Sequence, residues 1–358
     1  MSGSPYTSAL GRLAPEFTAF LTKEAYAALL TAKDPTDLAK QLETTPYADD
    51  IVRARTTHPG SAMLEVAINR TFVRRNRHGY EATPFAGRRA VAAYLGRWDI
   101  QNIELILSSK VYDRPVTETE DHLVSSRDIP AGLYAGVMTL DDFRVLLAQP
   151  TVEAIVDALV PYGYGATVQP LLEAFERTHD IFPILTALDR QYYGDVNAAA
   201  RFLQGDEWTV RALLQSEIDA RNALLLLKAK RSELSLQDLL PRWVAGGSFG
   251  EEVAADLYTA RGVPELAERL AERFPSIPEG TEEFRAGGNL SGYEVALQRD
   301  RTVRELRRLR TYPLSLAVIF AYLLRSEVER GDLRRLAFGK LYGLPDQRLE
   351  RLLVAPAL

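Results

Sequence analysis

Leu29-Leu30-Thr31-Ala32-Lys33 leads to Asp37-Leu38-Ala39 and then Leu42. Leu257-Tyr258-Thr259-Ala260-Arg261 leads to Glu265-Leu266-Ala267 and then Leu270. The second stretch starts 228 residues after the first and keeps every internal spacing, with Pro46 and Pro275 closing the two within one position of each other. A looser copy lies between them, from Thr139 through Leu146-Leu147-Ala148 to Leu159, Pro161 and Tyr162. Apolar residues three and four apart share one side of a helix. Each copy therefore reads as one helix, a short connection and a second amphipathic helix stopped by proline.

A second element also occurs three times. Asp99-Ile100-Gln101-Asn102-Ile103 runs to Lys110, Asp219-Ala220-Arg221-Asn222-Ala223 to Lys230, and Glu329-Arg330-Gly331-Asp332-Leu333 to Lys340. The offsets are 120 and 110 residues. Two independent elements in the same order, three times each, argue for a triplicated unit, on a period longer than that of ordinary solenoids. The units are placed at 5–120, 125–235 and 236–350, joined through Tyr112 to Ser126 and Ser235 to Gly250. Helical periodicity is also clear over Glu24 to Leu30, Pro35 to Leu42, Val152 to Leu159 and Pro264 to Leu270. Alternating patterns are scarce, and no Asn-Gly or Asp-Gly hairpin turn occurs. The expectation is an all-α protein of three similar helical bundles in a pseudo-threefold, funnel-like arrangement.

Composition narrows the function. Of 358 residues, 46% are apolar and 25% charged, the proportions of a soluble globular chain. There is no cysteine, which removes disulfides, thiolate metal sites and cysteine nucleophiles together and suits a reducing compartment. The net charge of −5 argues against bulk attraction to nucleic acid or anionic lipid. No secretory signal is read at the N-terminus. The longest apolar run, Leu314 to Leu324, is half of what a membrane-spanning helix needs, roughly 20 residues.

Residues 5 to 351 resemble the C subunit of V/A-type ATPases (ATP synthases), a family that includes the d subunit of eukaryotic V-ATPases. The likeness is carried first by Ala9, Arg12, Leu21-Thr22-Lys23-Glu24-Ala25-Tyr26, Leu29-Leu30 and Glu43-Thr44-Thr45-Pro46-Tyr47. Asp99 to Ile103 matches the family's acid-x-x-Asn-apolar helix. Pro313-Leu314-Ser315 to Tyr322, Glu329 to Arg334, and Gly339-Lys340 to Gly343-Leu344-Pro345 are similar to its C-terminal signature. Leu10 stands where the family usually has arginine, Asp332 where it has asparagine, and Ser326 where glutamate is common. The resemblance implies a non-catalytic, cofactor-free coupling subunit that links the central stalk shaft to the membrane proteolipid rotor ring. It would transmit torque for proton or sodium translocation, peripheral on the cytoplasmic face, touching the membrane only through the ring. The other reading of the repeat is a free-standing helical adaptor with a different partner.

Two groups of residues are interface candidates. Asp99/Asn102, Asp219/Asn222 and Glu329/Asp332 are three apart, hence on one helix face; they either tie each helix to a neighbour or line the central opening. Arg299 to Arg310 forms a basic amphipathic helix. Arg301, Arg304, Arg307 and Arg308 either belong to a solvated face paired with Asp300 and Glu305 or dock a partner. A second basic stretch runs from Arg70 to His78. Other chemistry finds no residues. There is no Gly-x(4)-Gly-Lys-Ser/Thr phosphate loop, and Gly246-Gly247-Ser248-Phe249-Gly250 is followed at once by Glu251 and Glu252, which repel an anion. Tyr162-Gly163-Tyr164-Gly165 reads as a connection. His58, His78, His122 and His179 show no metal-ligand spacing, and Ser61, Ser248 and Ser291 lack a nucleophile elbow.

Overall fold

The computed structural model describes residues 4–58, 60–125, 138–203 and 205–355. Ser126, at the far end of the first join, lies outside them. Among the described residues there are helices and no strand.

The chain opens with α1 (Tyr6–Thr18) and the short pair α2 (Lys23–Leu30) and α3 (Pro35–Leu42). Then come α4 (Ala48–Arg55), the long α5 (Gly60–Ala82), α6 (Phe85–Leu95), α7 (Arg97–Val111) and α8 (Val116–Asp121). A second short pair follows as α9 (Leu140–Leu147) and α10 (Val152–Leu159), then α11 (Gly165–Val168), α12 (Leu172–Thr178), the long α13 (Phe182–Ala200) and α14 (Glu207–Arg231), and α15 (Leu236–Leu239). The third round is α16 (Glu251–Tyr258), α17 (Val263–Leu270), α18 (Thr281–Gly287), α19 (Ser291–Arg310), α20 (Ala317–Leu341) and α21 (Asp346–Leu352).

All six members of the three short pairs are 8 residues long. Such helices do not hold in water alone, because nucleation is costly and few bonds follow it. Capping and burial make up the difference. Thr22, Asp34 and Thr151 each accept a backbone N–H of the first turn, and Thr139 forms a reciprocal capping box with Asp142. The second helix of each pair buries the same triplet: Leu38, Ala39, Leu42; Ile155, Val156, Leu159; Leu266, Ala267, Leu270, all essentially inaccessible. Burying a leucine-sized side chain stabilises by about 2 kcal/mol.

The long helices end alike. α7, α14 and α20 pass Lys110, Lys230 and Lys340 and turn through a left-handed residue, Asp113 (φ 49°), Glu233 (φ 53°) and Gly343 (φ 65°). The next N–H reaches back to the helix: Arg114 to the Ser109 carbonyl at 2.9 Å, Leu234 to Ala229 at 3.0 Å, Leu344 to Gly339 at 2.8 Å. This is a Schellman stop, for which glycine is the usual residue because it carries no Cβ.

Packing closes the chain on itself. α5 touches α6, α6 and α7 touch α13, α13 touches α14, α14 touches α19, α19 touches α20, and α20 returns to α5 in an extensive contact. The C-terminal part of each long helix also supports a short pair: α7 packs on α9 and α10, α14 on α16 and α17, and α20 on α3. Leu333, Leu336 and Ala337 thus complete a core made otherwise mainly of residues 21–68.

Candidate functional site

The repeated acid and amide positions lie at these supports. All six are buried, Asp219 the least so at 7% exposure. Asn102 donates to the Val124 carbonyl at 3.0 Å and accepts from the Val124 N–H at 2.8 Å. Asn222 makes the same double bond with Val244, at 2.8 and 3.2 Å. Asp332 has no donor to offer when ionised. It accepts from the Val354 N–H at 3.0 Å and the Ala355 N–H at 2.7 Å. Burial raises its pKa, against the pull of Arg335 and those two N–H groups.

The acid one turn earlier bonds to a segment flanking a short pair, before it or after it. Asp219 accepts from the Ser248 N–H at 2.6 Å. Glu329 accepts from the Leu21 N–H at 2.7 Å and the Tyr47 hydroxyl at 2.8 Å, and pairs with Arg75 at 2.6 Å. Tyr164 donates to Asp99 at 3.4 Å. In the glycine turn Gly246–Gly250 the Ser248 N–H is therefore taken by the Asp219 carboxylate, whose charge opposes that of a phosphate.

Two residues before each acid lie Arg97, Glu217 and Glu327, at the same offsets. They come from three separate helices and meet. Arg97 bonds Glu217 at 2.9 Å and Glu327 at 3.2 Å, and its Nη1 donates to the Tyr94 hydroxyl at 3.0 Å. Arg301 reaches the far oxygen of Glu217 at 3.2 Å. Burial works against the Arg97 charge, yet the two carboxylates more than offset it and hold the guanidinium well above its ordinary pKa. Two of the three positions are glutamate and the first is arginine, so the match breaks at Arg97 and no shared residue pattern marks all three. The offsets of 120 and 110, applied to every position of the element, would have.

Beyond this cluster the three helices bury the same positions. In α7, residues 102, 103, 106, 107 and 109 are buried while Glu104, Leu105 and Ser108 are half-buried. The equivalents Leu224 and Leu225 in α14, and Arg334, Arg335 and Phe338 in α20, are half-buried too, and Lys228 is exposed. Next on this stripe come Tyr112 and Tyr342, at 62% and 74% exposure. Glu104, Leu224, Leu225 and Lys228 line a recess of about 570 Å³ with Asp189 and Arg221. Burial, then the neighbouring Asp189, push the Glu104 carboxyl up to about 8, against Arg221.

The basic helix α19 divides. Arg301 is buried in the ion cluster. Arg304 donates to the Ser216 hydroxyl at 3.0 Å and lies 3.7 Å from Glu305; Arg308 pairs with Glu305. Arg307 is exposed. Asp300 does not pair with these arginines: its two oxygens take the Ser276 N–H and hydroxyl at 2.7 and 2.6 Å. No group of histidine, aspartate or glutamate among the described residues is arranged to hold a metal, and no described helix is long and apolar enough to cross a membrane.

Fold and joints together define an all-α protein of repeated helix pairs whose long helices close into a cycle. The chain belongs to the ATP synthase (C/AC39) subunit family, whose model matches residues 17–352. It is 33% identical over 351 residues to the A-type ATP synthase C subunit of Thermoplasma acidophilum, covering 98% of each chain. It is 32% identical over 349 residues to that of Thermoplasma volcanium, again covering 98% of each. With the C subunit of Halorubrum lacusprofundi it shares 25% over 365 residues, covering 97% of this chain and 99% of the relative. The chain is thus a subunit of a rotary ATPase complex.

Proposed function

We propose that this chain is the non-catalytic coupling piece of its complex, holding the end of the central shaft and seating it on the proteolipid rotor ring. Torque then passes between the two through a rigid body peripheral on the cytoplasmic face of the membrane. The single observation that carries the reading is the meeting of Arg97, Glu217 and Glu327. Equivalent positions of three helices converge only if the helices surround a common axis, which supports three units, at 5–120, 125–235 and 236–350, in pseudo-threefold order. Past the cluster the half-buried stripe is read as the wall of a socket, with Leu105, Leu225 and Phe338 along it and Tyr112 and Tyr342 at the rim. A wall that mixes these apolar side chains with Glu104, Lys228, Arg334 and Arg335, under an aromatic rim, suits the tip of an amphipathic helical shaft. The buried joint residues Asp99, Asn102, Asp219, Asn222, Glu329 and Asp332 stiffen the walls rather than touch the shaft.

The test is co-purification of the tagged chain with the shaft subunit and the membrane ring. Both should accompany the wild type, and Leu225→Glu with Phe338→Glu should release the shaft while circular dichroism shows the helices intact. A wild type that captures neither, or a double variant that still holds the shaft, would overturn the reading.

A further inference from the structure

At one end of the molecule the three connections between long helices meet. They are the α5–α6 turn, the α13–α14 connection and the α19–α20 connection. Leu316 of the third lies against Gly87 at the start of α6, so closely that a Cβ on that glycine would be 2.8 Å from the leucine methyl. The Leu316 N–H reaches the Asp206 carboxylate of the second connection at 3.3 Å. Trp208 and Tyr312 stack edge to face at 4.7 Å, and Arg89 sits 4.4 Å over Phe202.

The side chains left on the outside of this end are apolar and basic. Phe85 is 91% exposed, Phe202 65%, Leu314 52%, Tyr312 49% and Trp208 36%. Around them Arg88, Arg89, Arg201, Arg211 and Arg310 are exposed. The carboxylates of these connections are withdrawn: Asp206 and Glu207 are half-buried, and Asp206 is engaged by Leu316. Glu81, at the end of α5, is paired with Arg77 at 2.7 Å. An open groove of about 820 Å³ counts Phe85, Arg88, Arg89 and Phe202 among its lining residues. The chain carries a net charge of −5, yet over residues 83–89, 201–211 and 310–316 every fully exposed charge among the described residues is an arginine.

We propose that this end is a membrane-contact patch that takes anionic lipid headgroups, with Phe85, Phe202, Trp208 and Tyr312 at the headgroup level and the arginines on the phosphates. Trp208 and Tyr312 have the polar edge that favours the membrane interface, Phe85 and Phe202 add apolar surface, and arginines near an anionic surface add attraction that salt screens. The whole-chain charge conceals the patch, because acidity elsewhere outweighs it. The inference rests on the reading of the chain as a subunit seated against a membrane sector, and adds direct lipid contact to contact through the ring.

The full chain is sedimented with vesicles of phosphatidylcholine alone and of phosphatidylcholine with phosphatidylglycerol. Trp98 and Trp243 are buried, at 5% and 4%, so a change in tryptophan emission on vesicle binding reports chiefly on Trp208. Binding to the anionic vesicles should exceed that to neutral ones by about tenfold or more at low salt, with a blue shift that Trp208→Phe abolishes. Arg201→Gln, Arg211→Gln and Arg310→Gln together should remove the preference without altering the circular dichroism. Equal binding to both vesicles, or a preference that survives the triple substitution, would overturn the proposal. So would a triple variant that loses only a lipid-stripped ring, which makes the patch a protein-docking face. Vesicle binding intact in a chain that captures neither shaft nor ring sinks the coupling reading and leaves this one standing.

Discussion

Arg335 lies 2.7 Å from the Asp332 carboxylate, one helical turn further along α20. The equivalent residues beside Asn102 and Asn222 are Leu105 and Leu225. The charge at 332 and the charge at 335 therefore go together: a buried carboxylate that cannot donate to the Val354 carbonyl is balanced by a guanidinium that the other two joints do without.

That pairing predicts an asymmetry. Asn222→Asp puts a carboxylate against the Val244 carbonyl with a leucine where the arginine would be, and should destabilise by about 1–3 kcal/mol. Asp332→Asn restores the double bond seen at the other joints and should stay within about 1 kcal/mol of the wild type. Urea denaturation of both variants checks it; equal losses would mean that Arg335 is not the compensating group.

Removing the hub of the ion cluster should be severe. Arg97→Met leaves Glu217 and Glu327 without their shared partner, with Arg301 still on Glu217 and Arg330 acting on Glu327 only electrostatically. Breaking a buried ion pair from one side costs about 3–5 kcal/mol. The loss should appear as a fall in the denaturation midpoint, and Glu217→Gln with Glu327→Gln added to Arg97→Met should recover part of it.

Glu104 should make stability fall with alkaline pH. Its folded pKa, about 8, lies above the ordinary 4.5, so the folded chain holds a proton that the unfolded chain has released. This contribution is fully present below about pH 4.5 and is lost as the pH rises through about 8. The wild type should therefore lose more melting temperature between pH 6 and pH 9 than Glu104→Gln does. Parallel melting curves for the two proteins would remove Glu104 from the account.

Arg304 and Arg307 of α19, both exposed, should separate. Arg304→Glu loses the bond to Ser216 and sets a second carboxylate beside Glu305, and should cost about 1–2 kcal/mol. Arg307→Glu should change stability by less than about 0.5 kcal/mol. A joint loss of ring or shaft capture in Arg307→Glu at full stability would make this helix a docking face after all.

The short pairs were the most legible part of this molecule. Periodicity over Pro35 to Leu42 and Val152 to Leu159 coincides with α3 and α10, because eight-residue helices with three inaccessible apolar residues leave little freedom in where they start. The acid and amide positions were legible as repeats, though not their bonding: Asn102, Asn222 and Asp332 bind backbone groups 22 residues on, which no side-chain pattern marks. The ion cluster was invisible because Arg97 breaks the match between Glu217 and Glu327, and a charge reversal at an equivalent position looks like divergence. The order of packing was hidden for another reason. A threefold repeat has no intrinsic starting point, so it does not say that α20 serves the pair at the beginning of the chain.

That last contact has a consequence for how the protein is made. Leu21, Tyr47 and Arg75 all wait on Glu329, across sequence separations of 308, 282 and 254 residues. A nascent chain leaving the ribosome exposes the N-terminal lobe, with its core open, until the final long helix has emerged. Closure of the circle is then a late, long-range event of the kind that slows folding and exposes intermediates to aggregation. A polypeptide halted before residue 329 should be a chaperone client rather than a smaller version of the finished part.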